Sequence, residues 1–299
     1  SRFGMRLSAC TFVLCGCLAV GSLQFFEDLN LDRVAGSFKA TQNPDLLPWT
    51  GSFKGTSDIN SLNVLALPPQ DNDDCRPPFN ASSPQFVVGY GSLMNEADRN
   101  RTDPDDGPNL PCIVKGFKRS WSITAYQPSV SQTYLDVVPS REREITAAVF
   151  ELLGPGGLSE YDSREQTYCR VQVPSDDIRL LGNASEIFPP NAQTWIYILP
   201  ETAPRNPPSK QLPITNYYND LVVSGHIDLV NRYDVNPAFI SAYFKTTSEW
   251  TGKGGKVFWV NDRLVPRRCF EYSPDCLEID QYIIDELGQK VFDAIKIEG

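Results

Sequence analysis

The stretch FVVGYGSLMN, Phe86 to Asn95, decides the expected fold. Its first residues, FVVG, are apolar and show no polar face, which predicts a short, buried β-strand. Gly89 and Gly91 flank Tyr90 where this strand ends, and two glycines permit a sharp turn and a close approach of a ligand to the main chain. Free N–H groups in such a turn suit a carboxylate or a developing oxyanion. Taken alone, the same pattern also fits a tight bend without a ligand.

Charge and histidine content restrict the chemistry of the remaining chain. The sequence has 299 residues and a formal net charge of −10, so its surface would repel a polyanion and we expect no nucleic-acid partner. His226 is the single histidine. Metal sites built on several histidines are therefore excluded, and metal catalysis would need carboxylates or cysteines. We expect a reaction without a cofactor.

The N-terminal stretch has the layout of a targeting signal. Met5-Arg6 is followed by an apolar run with small residues, Leu7 to Ser22. One basic residue, a run of about a dozen apolar residues and a small-residue end are typical of a secretory signal. We therefore expect residues 1–22 to be a signal peptide cleaved near Gly21, and the protein to be secreted. An uncleaved anchor or a plastid-targeting segment remains an alternative, and no stable membrane span is expected elsewhere.

The cysteines left after such processing are five, an odd number. They are Cys75, Cys112, Cys169, Cys269 and Cys276. Cys269 and Cys276 bracket a proline-containing turn, and we expect them to form a disulfide. No histidine lies near Cys169 in the sequence to activate it, so a thiol nucleophile is not expected there.

The central part of the sequence predicts several short strands and a few helices. Residues 23–85 are rich in Asn, Asp, Pro, Ser and Gly and predict an irregular leader, with order beginning at Phe86. Further strands are expected at Cys112 to Phe117, Arg119 to Tyr126, Tyr134 to Val138, Ile145 to Leu152, Tyr168 to Val173 and Gln193 to Leu199. Helices are expected at Leu158 to Glu165, at Ile214 to Val230 and from Cys276 onward. The fold class is α+β around a curved or barrel-like sheet.

Four segments in this order give a resemblance to a known family. VVGYGSLM, VKGFKRSW, YDSREQTYCRVQV and TNYYNDLVVSG together resemble the γ-glutamylcyclotransferase-like superfamily, which includes AIG2-like and ChaC-type proteins. The resemblance runs from about Phe86 to Gly225 and implies a small mixed β-barrel with flanking helices. It gives residues 86–232 as the γ-glutamylcyclotransferase-like domain and residues 233–299 as a C-terminal extension. The 85 residues before Phe86 and the segment after Gly225 depart from the smallest members.

The resemblance also implies a set of site residues. The loop Tyr90-Gly91-Ser92-Leu93 would hold a γ-glutamyl group, Glu165 would be the catalytic carboxylate, and Tyr218 would lie near the substrate. Each residue type also has a structural interpretation. A charged stretch such as the one around Glu165 is usually a solvated helix face, and Tyr168 and Tyr218 fit core positions with a hydrogen-bonded hydroxyl.

The function implied by the resemblance is enzymatic. A γ-glutamylcyclotransferase-like enzyme cyclises a γ-glutamyl amide to 5-oxoproline and releases an amine or amino acid, with Glu165 as general base and then acid. The expected partner is a small-molecule γ-glutamyl substrate. Glutathione, γ-glutamyl amino acids and γ-glutamyl amines share the recognised half, so the leaving group stays open. A non-catalytic binding module of the same fold and a secreted structural protein are the alternatives.

Overall fold

The computed structural model describes residues 75–125, 132–186, 189, 191–263 and 275–297. The expected signal peptide, residues 1–22, and the leader up to residue 74 lie outside these described residues. Cys269 lies outside them as well, and with it the expected disulfide to Cys276. No helix within the described ranges is long and apolar enough to cross a membrane.

The described chain contains the following strands and α-helices. The strands are β1 Gln85–Gly89, β2 Leu110–Ala125, β3 Gln132–Glu151, β4 Cys169–Val173, β5 Ile178–Leu180, β6 Gln193–Ile198, β7 Ile214–Thr215, β8 Thr247–Ser248, β9 Trp259–Asn261 and β10 Lys296–Ile297. The helices are α1 Glu96–Arg99, α2 Gly157–Arg164, α3 Asn216–Tyr233, α4 Ala238–Thr246, α5 Cys276–Leu287 and α6 Gln289–Asp293.

The main sheet is mixed and curls into a half-barrel with helices around it. Its strand order is β4-β6-β1-β3-β2-β5, and β8 pairs with β2. β1 runs parallel to β6 and antiparallel to β3, so it has a partner on each side. Phe86, Val87 and Val88 are at most 1% exposed, as a strand covered on both faces requires. The expected α+β class and the buried first strand are confirmed.

The strands β2 and β3 form one long hairpin where four short strands were expected. Gly116 interrupts β2 with a positive φ of 85°, and the register shifts there, but the pairing continues on both sides. The charged residues Arg141 to Glu144, which lie between two of the expected strands, are exposed residues of β3. Lys115 lies opposite Glu144, so the ladder extends beyond the core with opposite charges paired across it.

The helices lie close to their expected positions. α2 ends at Arg164, and Glu165 is its C-cap residue. α3 begins after Thr215, whose side chain accepts a hydrogen bond from the Tyr218 main-chain N–H. Residues after 232 contribute to the same core, since Phe239 of α4 and Ile283 of α5 belong to the cluster that contains Val88 of β1.

A disulfide that the sequence did not predict joins Cys75 to Cys169. The two residues are separated by 94 positions, and the bond ties the segment before β1 to the first residue of β4. Cys112 is a buried free thiol on β2. The described end of the expected leader, residues 75–85, is therefore attached covalently to the sheet.

Candidate functional site

A pocket lies where β1 ends and the turn begins. It has a volume of about 60 Å³ and is partly open to solvent. Its lining residues come from β1, the turn, β3, the end of α2, the segment before β4, β6 and α3: Val88, Tyr90, Gly91, Ser92, Leu93, Leu135, Glu165, Tyr168, Tyr197 and Tyr218. All six residues proposed from the sequence line this pocket.

The turn after β1 presents main-chain N–H groups. Ser92–Met94 form one turn of 3₁₀ helix, in which the Met94 N–H donates to the Gly91 carbonyl oxygen over 3.0 Å. Within the described residues, the N–H groups of Gly91 and Leu93 donate to no protein acceptor. The first N–H groups of a helix have no partner inside it, so these two donors are available to an anionic oxygen.

The two glycines of the turn are required by space rather than by backbone angle. Gly91 has a φ of −122°, outside the left-handed region. A Cβ added at Gly89 would lie 2.6 Å from Leu93 Cβ, and one added at Gly91 would lie 2.7 Å from Tyr218 Oη. Real Cβ atoms do not approach other atoms so closely. Gly91 thus lets α3 bring its tyrosine against the turn.

Glu165 occupies the C-terminal end of α2 and lies mostly out of solvent. Its side chain is 17% exposed, and Arg164 Nε lies 3.3 Å from its Oε1. Burial raises the pKa of Glu165, Arg164 and Arg76 lower it, and Asp98 adds a smaller upward contribution, with a net upward shift. A raised pKa brings a carboxylate closer to the value that suits proton transfer near neutral pH.

Arg164 connects this carboxylate to the turn. Its Nη2 donates to Ser92 Oγ and to Asp98 Oδ2, each over 3.1 Å. Its Nη1 donates to Thr102 Oγ1 over 2.7 Å. With Glu165 beside its Nε, this one guanidinium fixes Ser92 and the carboxylate relative to each other.

Four tyrosines line the pocket: Tyr90, Tyr168, Tyr197 and Tyr218. Burial is the largest cause of the raised pKa of each of these phenols. Tyr90 Oη donates to the Tyr197 carbonyl oxygen over 2.9 Å, and Tyr197 Oη donates to Asp162 over 2.7 Å. For Tyr218, a hydrogen bond from the Ser92 main chain opposes the pKa shift. The phenols stay neutral and can act as donors near neutral pH.

Tyr168 is a pocket residue that the sequence interpretation treated as a core residue. It is partly exposed, and the pKa of its phenol is raised by burial and then by the neighbouring Glu165. Its separation of three residues from Glu165 was the available signal. A bend after the helix, with the Tyr168 N–H donating to the Glu165 carbonyl oxygen over 2.9 Å, turns both side chains toward the pocket.

His226 and Asp162 have structural surroundings. The imidazole of His226 is fully buried on α3, contacts Thr146 Oγ1 and the Val222 carbonyl oxygen, and has its pKa lowered to about 3 by burial. Both carboxylate oxygens of Asp162 are taken, by Arg170 and by Tyr197. Across the described ranges, no group of three or more His, Cys, Asp or Glu residues could hold a metal ion.

The fold and the pocket define an α+β protein with a half-barrel sheet and a carboxylate facing a glycine-containing turn. Among solved structures, a γ-glutamyl cyclotransferase is similar at 11% identity and a TM-score of 0.40, over 66% of this chain and 98% of that one. A γ-glutamyl cyclotransferase specific to glutathione from yeast is similar at 13% identity and a TM-score of 0.36, over 55% and 97% of the two chains. An uncharacterized protein from Homo sapiens is similar at 12% identity and a TM-score of 0.38, over 56% and 91%.

Structures that carry the name of the family expected from the sequence are thus among those that the chain resembles. No protein-family model matches the chain. The search of curated proteins found no match.

Proposed function

We propose that the protein is a γ-glutamylcyclotransferase-type enzyme that converts a γ-glutamyl amide to 5-oxoproline and a free amine or amino acid. The observation that carries this proposal is the pocket that Glu165, Gly91 and Leu93 line together, since the N–H groups of Gly91 and Leu93 donate to no acceptor among the described residues. A base and an anion-binding turn at one small site are what an intramolecular acyl transfer needs.

The reaction follows from the chemistry of the γ-glutamyl group. Its α-ammonium must lose a proton before the nitrogen can attack the γ-carbonyl carbon, and Glu165 takes that proton. Attack forms the new C–N bond of a five-membered ring, and the oxyanion that develops accepts hydrogen bonds from the Gly91 and Leu93 N–H groups. The original amide C–N bond then breaks as Glu165 returns the proton to the departing amine, and the regenerated carboxylate takes the second proton that the ring nitrogen must lose and passes it to solvent or to the released amine. No water is consumed, so the main task of the pocket is to hold a folded conformer of the substrate.

A binding module without turnover is the second candidate. The Arg164 guanidinium 3.3 Å from Glu165 favours it, because an ion pair stabilises the carboxylate form and weakens it as a base. Burial acts in the opposite direction on the pKa of Glu165 and is the larger influence, which is why we rank the enzyme first.

The deciding experiment is an assay for 5-oxoproline with the purified protein and a panel of γ-glutamyl compounds, including glutathione, γ-glutamyl amino acids and γ-glutamyl amines. Glu165→Gln keeps the shape of the side chain and removes the base, so turnover should fall by at least about a hundredfold while ligand binding persists. Glu160→Gln is the matched control, since Glu160 is an exposed glutamate on the same helix. Binding without 5-oxoproline release from the wild-type protein would favour the second candidate.

We also propose that the protein enters the secretory pathway. The signal-like residues 1–22 support this, and so does the Cys75–Cys169 disulfide, because disulfides persist in oxidising compartments. N-terminal sequencing of material secreted by a eukaryotic host should find a start near residue 22. An intracellular product that keeps Met5 would contradict the proposal.

A further inference from the structure

The segment just before β1 lies against the end of α2. The Cys75–Cys169 disulfide anchors it. The Arg170 N–H donates to the Cys75 carbonyl oxygen over 2.9 Å, and Arg170 Nη2 donates to the Pro77 carbonyl oxygen over 2.7 Å. Residue 76 is thereby held between two points attached to β4.

Arg76 uses this position to contact the residues that carry the pocket side chains. Its Nη2 donates to the Glu165 carbonyl oxygen over 2.9 Å and lies 3.4 Å from the Tyr168 carbonyl oxygen. Its Nε lies 3.8 Å from Asp162 Oδ1, and the side chain is 14% exposed. The last carbonyl groups of a helix lack partners within it, and a cation there is favoured by the helix dipole. Arg76 therefore fixes the main chain at the point where Glu165 leaves α2.

We propose that Arg76, held in place by the Cys75–Cys169 disulfide, is a positioning residue for the Glu165 carboxylate. This proposal rests on the proposed function and deepens it. Arg76 touches the main chain of Glu165 and has no place among the pocket-lining residues, so it acts on the reaction through Glu165. It also extends the functional unit to residues that precede the first strand.

Because Arg76 is charged, its removal should change the pKa of Glu165, which the loss of an uncharged structural contact would not change in this way. The charged groups facing Glu165 are Arg164, Arg76 and Asp98, and the phenols of Tyr90, Tyr168 and Tyr218 share its surroundings. Arg76 lowers the pKa of Glu165. Its removal should therefore raise that pKa further and move the acid limb of the pH–rate profile to higher pH.

The experiment compares Arg76→Gln, Arg76→Lys and the matched control Arg179→Gln, an exposed arginine on β5. Arg76→Gln should lower kcat by between about 10- and 100-fold, because a displaced catalytic group loses its alignment. Arg76→Lys should recover part of the rate and keep the acid limb near its wild-type position. Arg179→Gln should leave both unchanged. If Arg76→Gln does not fold, the kcat of Arg76→Lys decides. A wild-type kcat in Arg76→Lys would overturn the proposal, because lysine cannot reproduce the paired hydrogen-bond geometry of arginine.

A second arm tests the role of the disulfide. The variant with serine at both Cys75 and Cys169 should lose activity in the same direction as Arg76→Gln. Adding Arg76→Gln to this variant should then reduce activity much less than it does in the wild type, because both changes disrupt the same contact between Arg76 and Glu165. Independent, fully additive losses would overturn the claim that the disulfide acts through Arg76.

Titration of the Glu165 carboxyl group by NMR on carbon-labelled protein separates this proposal from the proposed function. If the wild-type protein releases no 5-oxoproline, the proposed function fails, and the titration still decides about Arg76. A Glu165 pKa that rises in Arg76→Gln and stays fixed in Arg179→Gln supports the assignment. An unchanged Glu165 pKa in Arg76→Gln overturns it.

Discussion

Gly91→Ala is the sharpest test of how the turn and α3 fit together. The added Cβ would lie 2.7 Å from Tyr218 Oη. The tyrosine ring has little room to retreat, because its ring contacts those of Trp121 and Tyr134 edge-on, with centroids 5.8 and 4.9 Å away. Overpacking of this kind costs about 1–3 kcal/mol of unfolding free energy. Urea unfolding of the purified protein measures the loss as a lower midpoint at constant slope.

Tyr218→Phe should rescue this loss. It removes the overlapping oxygen, and the next atom, Cζ, lies 3.9 Å from the added Cβ, an ordinary van der Waals contact. The double variant should therefore be about as stable as Tyr218→Phe alone. In a double-mutant cycle the coupling between the two changes should reach about 1–3 kcal/mol in the direction of rescue.

Gly107→Ala is the control for the effect of replacing a glycine as such. Its added Cβ would meet the nearest atoms of Glu151 at 3.4 Å, and the Gly107 N–H can keep its hydrogen bond to the Glu151 carbonyl oxygen. We expect a change within about 0.5 kcal/mol. Additive losses for Gly91→Ala and Tyr218→Phe would refute the reasoning, because the hydroxyl could then not be the atom that excludes a side chain at residue 91.

Three further outcomes follow from the charges and covalent bonds. Because burial raises the pKa of Glu165, the proposed base should become protonated at a higher pH than an ordinary glutamate. The acid midpoint of the kcat/KM profile should therefore lie above ~4.3. A midpoint at or below that value would contradict the burial argument. Serine at both Cys75 and Cys169 should lower the unfolding free energy by about 4–5 kcal/mol, because the bond spans 94 positions, and an unchanged urea midpoint would show that this loop does not constrain the unfolded chain. Asp220→Asn should lower the unfolding free energy by about 1.5–3 kcal/mol, because Arg263, whose side chain is 5% exposed, would lose its closest carboxylate and keep only Asp280, 2.7 Å from its Nη1. A loss below ~1 kcal/mol in thermal unfolding would mean that Asp280 alone compensates the charge.

Local patterns in the sequence predicted the central strand, and the resemblance to a known family supplied the candidate site residues. The apolar run at Phe86 to Gly89 can only be a short buried element, and the structure places it between two neighbouring strands. The resemblance supplied Glu165 and Tyr218, which are 53 positions apart and which no local pattern would connect. The pocket brings both to the turn after β1.

Pairing between distant residues could not be predicted in the same way. Arg141 to Glu144 has the composition of a turn, and only pairing with β2 on both sides of it, Glu144 with Lys115 and Pro139 with Phe117, places it within a strand. Cys75 and Cys169 have no characteristic spacing, so the neighbouring pair Cys269 and Cys276 was the more visible choice. The proposed contribution of Arg76 depends on this unpredicted bond, and no local pattern distinguishes Arg76 from the other arginines of the chain.

The Cys75–Cys169 bond also changes what a cut in the chain would mean. It closes a covalent ring that contains the exposed charged stretch of β3 around Arg141 and Arg143, two side chains that trypsin could reach. A molecule cleaved there would keep both pieces joined and would migrate at nearly full mass on a non-reducing gel. Preparations should therefore be examined with and without reductant before an intact chain is assumed, since a nicked molecule could retain the pocket.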